Sequence, residues 1–144
     1  MSRIISFRGL IADNSIDTVT LHTIDGSIGY RIVKFEIMPT DPGNNDTENV
    51  VKIYKVPQTA TSSSIDFSDN TLLAAGFYLS GSATTRFQDS TVIFDSEIFN
   101  QDIYITNVET TSTGAVNYYI ELEQIPLNLN ENTVATLKDI RNVA

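Results

Sequence analysis

From Tyr118 to Ile125 the chain alternates, with Tyr118, Ile120 and Leu122 on one side and Tyr119, Glu121 and Glu123 on the other. A period of two marks a strand with one face buried, because successive side chains of extended backbone point in opposite directions. Two more segments share it. Tyr30–Met38 sets Val33, Phe35 and Ile37 against Lys34 and Glu36, and Val50–Val56 sets Val51 and Ile53 against Lys52 and Tyr54. Ile4–Ile11, Ile16–Thr23 (Val19 and Leu21 inward), Leu72–Leu79, Val92–Phe94 and Ile103–Val108 are rich in β-branched or aromatic residues and read as strands too.

Turn signals separate these runs: Asp13-Asn14-Ser15, Asp25-Gly26, the stretch 41–46, Ser68-Asp69-Asn70, Gly81-Ser82 and Thr110–Gly114. About eight short strands without helical periodicity predict an all-β chain, a single antiparallel β-sandwich of jelly-roll type over residues 1–144. A chain of this length has enough apolar surface for one core. The polar stretch Gln58–Ser64 reads as an exposed loop. Asn130–Asn142 reads as a short helix capped by Asn132 or Thr133, with Val134, Leu137 and Ile140 on one stripe, or as a terminal strand or docking arm.

Composition narrows the function classes. Hydrophobic residues make up 41% of the chain, with no run near the ~18 consecutive apolar residues of a membrane helix, so no membrane partner is expected. Eighteen acids face nine Lys and Arg, a net charge of −9, and the bases are spread along the sequence. Nucleic-acid binding needs concentrated positive charge, so no nucleic-acid partner is expected. Ser6, Arg8 and Gly9 interrupt the apolar start before a signal-peptide core forms.

Catalytic residue types are sparse. The one histidine, His22, falls in an expected strand with no nucleophile-elbow glycine pattern near any serine, and it reads as a surface-facing strand residue. Without cysteine and with one histidine, a zinc site has almost no ligands to draw on. Asp41–Asn49 holds Asp41, Asp46, Glu48 and three Asn but lacks the spacing of a dedicated calcium loop, so it reads as a solvated, Asx-rich turn. Glu121 and Glu123 read as the wet side of a sheet, and the six tyrosines as strand fillers with one end in water. The expectation is a protein with no catalytic residues, no cofactor and no metal.

Several segments carry a resemblance: RGLIADNSIDTVTLHTIDGSIGYRIVKF at 8–35, VVKIYKV at 50–56, IDFSDNTLLAAGFY at 65–78, VIFDSEIFNQDIYI at 92–105, NYYIELE at 117–123 and NENTVATLKDIRN at 130–142. They resemble small virion structural proteins of marine short-tailed bacteriophages such as cyanophages. The resemblance covers nearly the whole chain, yet these segments are not a motif with assigned residue roles. It implies a capsid cement or decoration protein, made in the host cytoplasm and placed on the capsid exterior. The implied partners are the major capsid protein or other virion proteins, in a symmetric multi-copy assembly. The alternative is a neck or tail component, a carbohydrate- or receptor-binding module being one form of it. Segments near the termini can add a strand or an apolar stripe to a neighbour, which makes Ile4, Ile5, Phe7, Val134, Leu137 and Ile140 the candidate partner-binding residues.

Overall fold

The computed structural model describes residues 3–23, 26–41, 47–81, 88–111 and 114–128. Eight strands follow one another: β1 (Arg3–Ile11), β2 (Ser15–Val19), β3 (Ile28–Pro39), β4 (Thr47–Tyr54), β5 (Leu72–Ser80), β6 (Gln88–Phe94), β7 (Ile103–Glu109) and β8 (Val116–Pro126). There is no helix among the described residues. Val134, Leu137 and Ile140, with the rest of the C-terminal helix-or-arm alternative, lie outside them.

The strands form two antiparallel sheets, one ordered β1-β8-β3 and the other β2-β7-β4-β5-β6. Pairing is nested, first strand with last, second with second last, and β4 with β5 at the centre. Such nesting folds a long hairpin back on itself into a sandwich. One departure is visible. β3 touches β6 but does not pair with it, because β6 extends the other sheet from β5.

The core forms where the apolar faces of the sheets meet. Ile11, Ile32, Phe35, Val51, Ile53, Ile103, Ile105, Val116, Ile120 and Leu122 are all buried there. Covering each such side chain contributes roughly 1.5–3 kcal/mol relative to exposure. Gly76 on β5 lets the sheets approach closely: a Cβ there would sit 2.7 Å from Val92 Cγ1 and 3.3 Å from Phe35 Cε2. Across the other edge Tyr30 and Phe99 exchange backbone hydrogen bonds of 2.7 and 3.0 Å and stack their rings, clipping β3 to the segment that leads into β7. Asn14, in the turn from β1 to β2, takes a φ of 56°, a left-handed conformation that Asn tolerates well.

Three expectations from the sequence are corrected. In β3 the alternation breaks at a bulge between Ile32 and Lys34, so Ile32 and Phe35 point inward while Val33 is exposed. In β4 the supposed wet face is covered: Lys52 and Tyr54 are buried, as Val51 and Ile53 are on the other face. The chain that covers them follows β4, and the Lys52 ammonium donates a 2.7 Å hydrogen bond to the Ser64 carbonyl and sits over the Tyr54 ring. The residues of 58–64 are mostly exposed, as an exposed loop would be, and Ser64 at their end is tied to β4 through Lys52. Finally, β2 stops at Val19, so His22 lies in the connection after it.

Candidate functional site

The solvent face of β1-β8-β3 carries charged side chains in register. Register sets four rows across the three strands: Ile4-Glu123-Arg31, Ser6-Glu121-Lys34, Arg8-Tyr119-Glu36 and Leu10-Asn117-Met38. The outer positions of β1 follow from its alternation, in which Ile5, Phe7 and Ile11 turn inward and Ile4, Ser6, Arg8 and Leu10 outward. Arg31 forms an ion pair with Glu123. The Lys34 ammonium lies 5.8 Å from the centre of the Tyr119 ring. The Tyr119 hydroxyl donates a 2.6 Å hydrogen bond to Glu121 Oε2, and this bond to a carboxylate holds the phenol pKa above its ordinary value.

Electrostatically this face is unlike the rest of the chain. Arg8, Arg31 and Lys34 balance Glu36, Glu121 and Glu123, so it is neutral in a protein of net charge −9. Large apolar side chains mark its margins: Ile4 is 52% exposed, Leu10 58% and Met38 62%. The face therefore combines balanced charge at its centre with exposed apolar side chains at its margins.

The sequence-derived candidates divide on this geometry. Arg3–Ile11 is paired along its length with β8, so it is a strand of the sandwich and not a free arm. Ile5 and Phe7 pack against the core, and of the three only Ile4 faces outward. Leu10 and Met38 were not singled out, since their side-by-side placement across Asn117 depends on strand register.

His22 makes a second cluster with Asp102, just ahead of β7. One carboxylate oxygen, Asp102 Oδ1, accepts the Leu21 N–H at 2.8 Å and the His22 N–H at 3.0 Å, and lies 2.7 Å from His22 Nδ1. Burial alone would raise the Asp102 pKa, but the bonds from His22 and Leu21 together carry it below the ordinary carboxylate value. An ionised carboxylate only accepts, so the imidazole proton sits on Nδ1. The arrangement ties the end of β2 to the start of β7.

A third cluster is internal. Asn49 on β4 and Glu109 on β7 are direct partners, with Asn107 one step along the same face of β7. Glu109 Oε1 accepts the Glu48 and Thr111 N–H groups, both at 2.9 Å, and the Thr111 hydroxyl at 2.7 Å. Asn107 Nδ2 donates to the Ile11 carbonyl at 3.1 Å. Asn49 and Asn107 are fully buried, so the reading of Asn49 as part of a solvated turn is corrected: it points into the sandwich from the second turn of alternation in β4.

Comparison with protein-family models finds no match, and comparison with curated protein sequences finds none.

Proposed function

We propose that this protein is a non-enzymatic virion structural protein that binds the outside of an assembled phage head and stabilises it as a cement or decoration protein. The observation that carries this reading is the neutral, charge-ordered face of β1-β8-β3 with Ile4, Leu10 and Met38 exposed at its margins. The resemblance of the segments at 8–35, 50–56, 65–78, 92–105, 117–123 and 130–142 to marine phage virion proteins supplies the setting. An acidic chain is repelled by packaged DNA, which favours the exterior of the shell over its lining. The same charge disfavours broad contact with acidic partners everywhere except at this neutral face.

The mechanism is mass action. A partner that binds only the assembled shell shifts the equilibrium toward it by RT ln(1 + [L]/Kd) per site, and repetition over a lattice turns modest affinity into avidity. The test is the copy number relative to the major capsid protein in purified particles, by quantitative mass spectrometry. A near-stoichiometric ratio supports cement. A few copies per particle move the protein to the neck or tail as a receptor-binding module, and absence from the particle refutes a virion role. Leu10→Asp with Met38→Asp should abolish binding to the shell while leaving the unfolding temperature within about 2 °C of wild type, because exposed positions contribute little to the fold. Removing residues 131–144 asks whether they dock: a stable chain that no longer binds heads assigns the contact to that segment.

A further inference from the structure

The polar end of the sandwich interior has acceptors without a partner among the described residues. Asn49 Oδ1, Asn107 Oδ1 and Glu109 Oε2 are buried and have no hydrogen-bond partner among the described residues. Their orientation is imposed. Glu109 spends Oε1 on three donors, which turns Oε2 away from them. Asn107 is held through Nδ2 by the Ile11 carbonyl, so its oxygen is the free end. Asn49 stands opposite Glu109, and neither end of its amide has a partner among the described residues.

We infer that Asn49 Oδ1, Asn107 Oδ1 and Glu109 Oε2 bind a hard divalent cation, Ca²⁺ by its chemistry, inside this end of the sandwich. A cation draws on all three acceptors at once, and the unpartnered Asn49 Nδ2 is left to donate to a water of its shell. The ligands are one carboxylate and two amide oxygens with no nitrogen or sulfur, a set that suits a hard ion and not zinc or copper. Ca²⁺ accepts irregular oxygen cages of 6–8 ligands completed by water, whereas Mg²⁺ demands a near-ideal octahedron. Glu109 supplies the one negative charge, and water completes the shell.

Terbium, a luminescent stand-in for Ca²⁺, tests the site and its place together. Tyr78 is the direct partner of Asn49 across β4 and β5 and is buried on the same face, so it would sensitise an ion bound there. The experiment uses the full chain stripped with a chelator. Exciting tyrosine should give terbium emission that Ca²⁺ competes away, and Tyr78→Phe should cut the emission severalfold. In Tyr78→Phe, Ca²⁺ should still raise the unfolding temperature by roughly 5–10 °C at a hundred times its Kd, as in wild type. Glu109→Gln and the near-isosteric Asn49→Leu should each weaken Ca²⁺ at least tenfold. Should Glu109→Gln fail to fold, the Tyr78→Phe emission still locates the ion. No emission and no thermal shift in the wild type overturns the proposal, as does emission undiminished in Tyr78→Phe or Asn49→Leu, which would place the ion elsewhere.

Discussion

Replacing Asp102 with alanine removes a single oxygen that accepts from Leu21 N, His22 N and His22 Nδ1, and so unties two segments some 80 residues apart. The three bonds are not equal. Leu21 is 5% exposed, so its N–H is left buried without an acceptor, while the His22 side chain is 55% exposed. A hydrogen bond to a charged group in a buried setting contributes roughly 1.5–3 kcal/mol, whereas an exposed ion pair adds about 0–1 kcal/mol. Asp102→Ala should therefore cost about 2–3 kcal/mol, mostly through Leu21, and lower the unfolding temperature by roughly 5–10 °C. His22→Ala should cost less than about 0.5 kcal/mol, since only the screened ring contact is lost. The folded Asp102 pKa lies below the unfolded value near ~3.9, so its contribution is present above that pH and is lost as pH falls through the folded pKa. Urea unfolding of wild type and Asp102→Ala at pH 7 and in strong acid measures both effects. A difference below about 0.5 kcal/mol at pH 7, or one that persists unchanged in acid, refutes the reasoning.

Burial, the Asp17 charge and the bond from the Tyr118 hydroxyl to Asp17 push the phenol pKa up to about 12. Because this folded pKa exceeds the unfolded value of ~10, the contribution is complete below pH 10 and is lost between pH 10 and 12, a decline of at most about 2–3 kcal/mol; Tyr118→Phe should flatten it in a pH series of denaturant melts. Gly76→Val should cost about 1–3 kcal/mol by forcing Val92 and Phe35 apart, read from the midpoint of urea unfolding. Lys52→Met should change global stability by less than about 1 kcal/mol, because an apolar replacement of a buried charge is often neutral, yet it should speed proteolytic cleavage within 58–64 by freeing the Ser64 carbonyl.

Legibility from sequence followed the range of the interaction. The eight strands could be read because alternation is local, and Tyr118–Leu122 faces inward and outward in the order its pattern implies. Val33 defeated the same rule, since a bulge moves the side-chain phase by one residue and only pairing with β8 reveals it. Lys52 looked like a wet-face residue because its cover is a polar segment, and polarity alone gives no sign that a carbonyl will meet a buried ammonium. The neutral face of β1-β8-β3 was illegible for a stronger reason: Arg8, Lys34 and Glu121 come from three distant segments, and their balance exists only once register is fixed. Asn49 was hidden by its neighbours, a tract of Asn and acids that resembles a turn, while its own place belongs to the β4 alternation.

The position of β8 between β1 and β3 also sets a schedule for folding. Neither outer strand of that sheet pairs with the other, so apart from the Tyr30–Phe99 bridge at one end of β3 both lack a strand partner until residues 116–126 have left the ribosome. During that interval β1 and β3 present unpaired edges and apolar faces of Ile, Leu and Phe, the condition under which nascent β chains associate with one another. The loop closed by Ile11 meeting Val116 is long, and contacts of such separation slow folding. Yield in a cell should consequently depend on how quickly synthesis passes residue 126, and a pause placed just before β8 should send more of the chain into aggregates than one placed just after it.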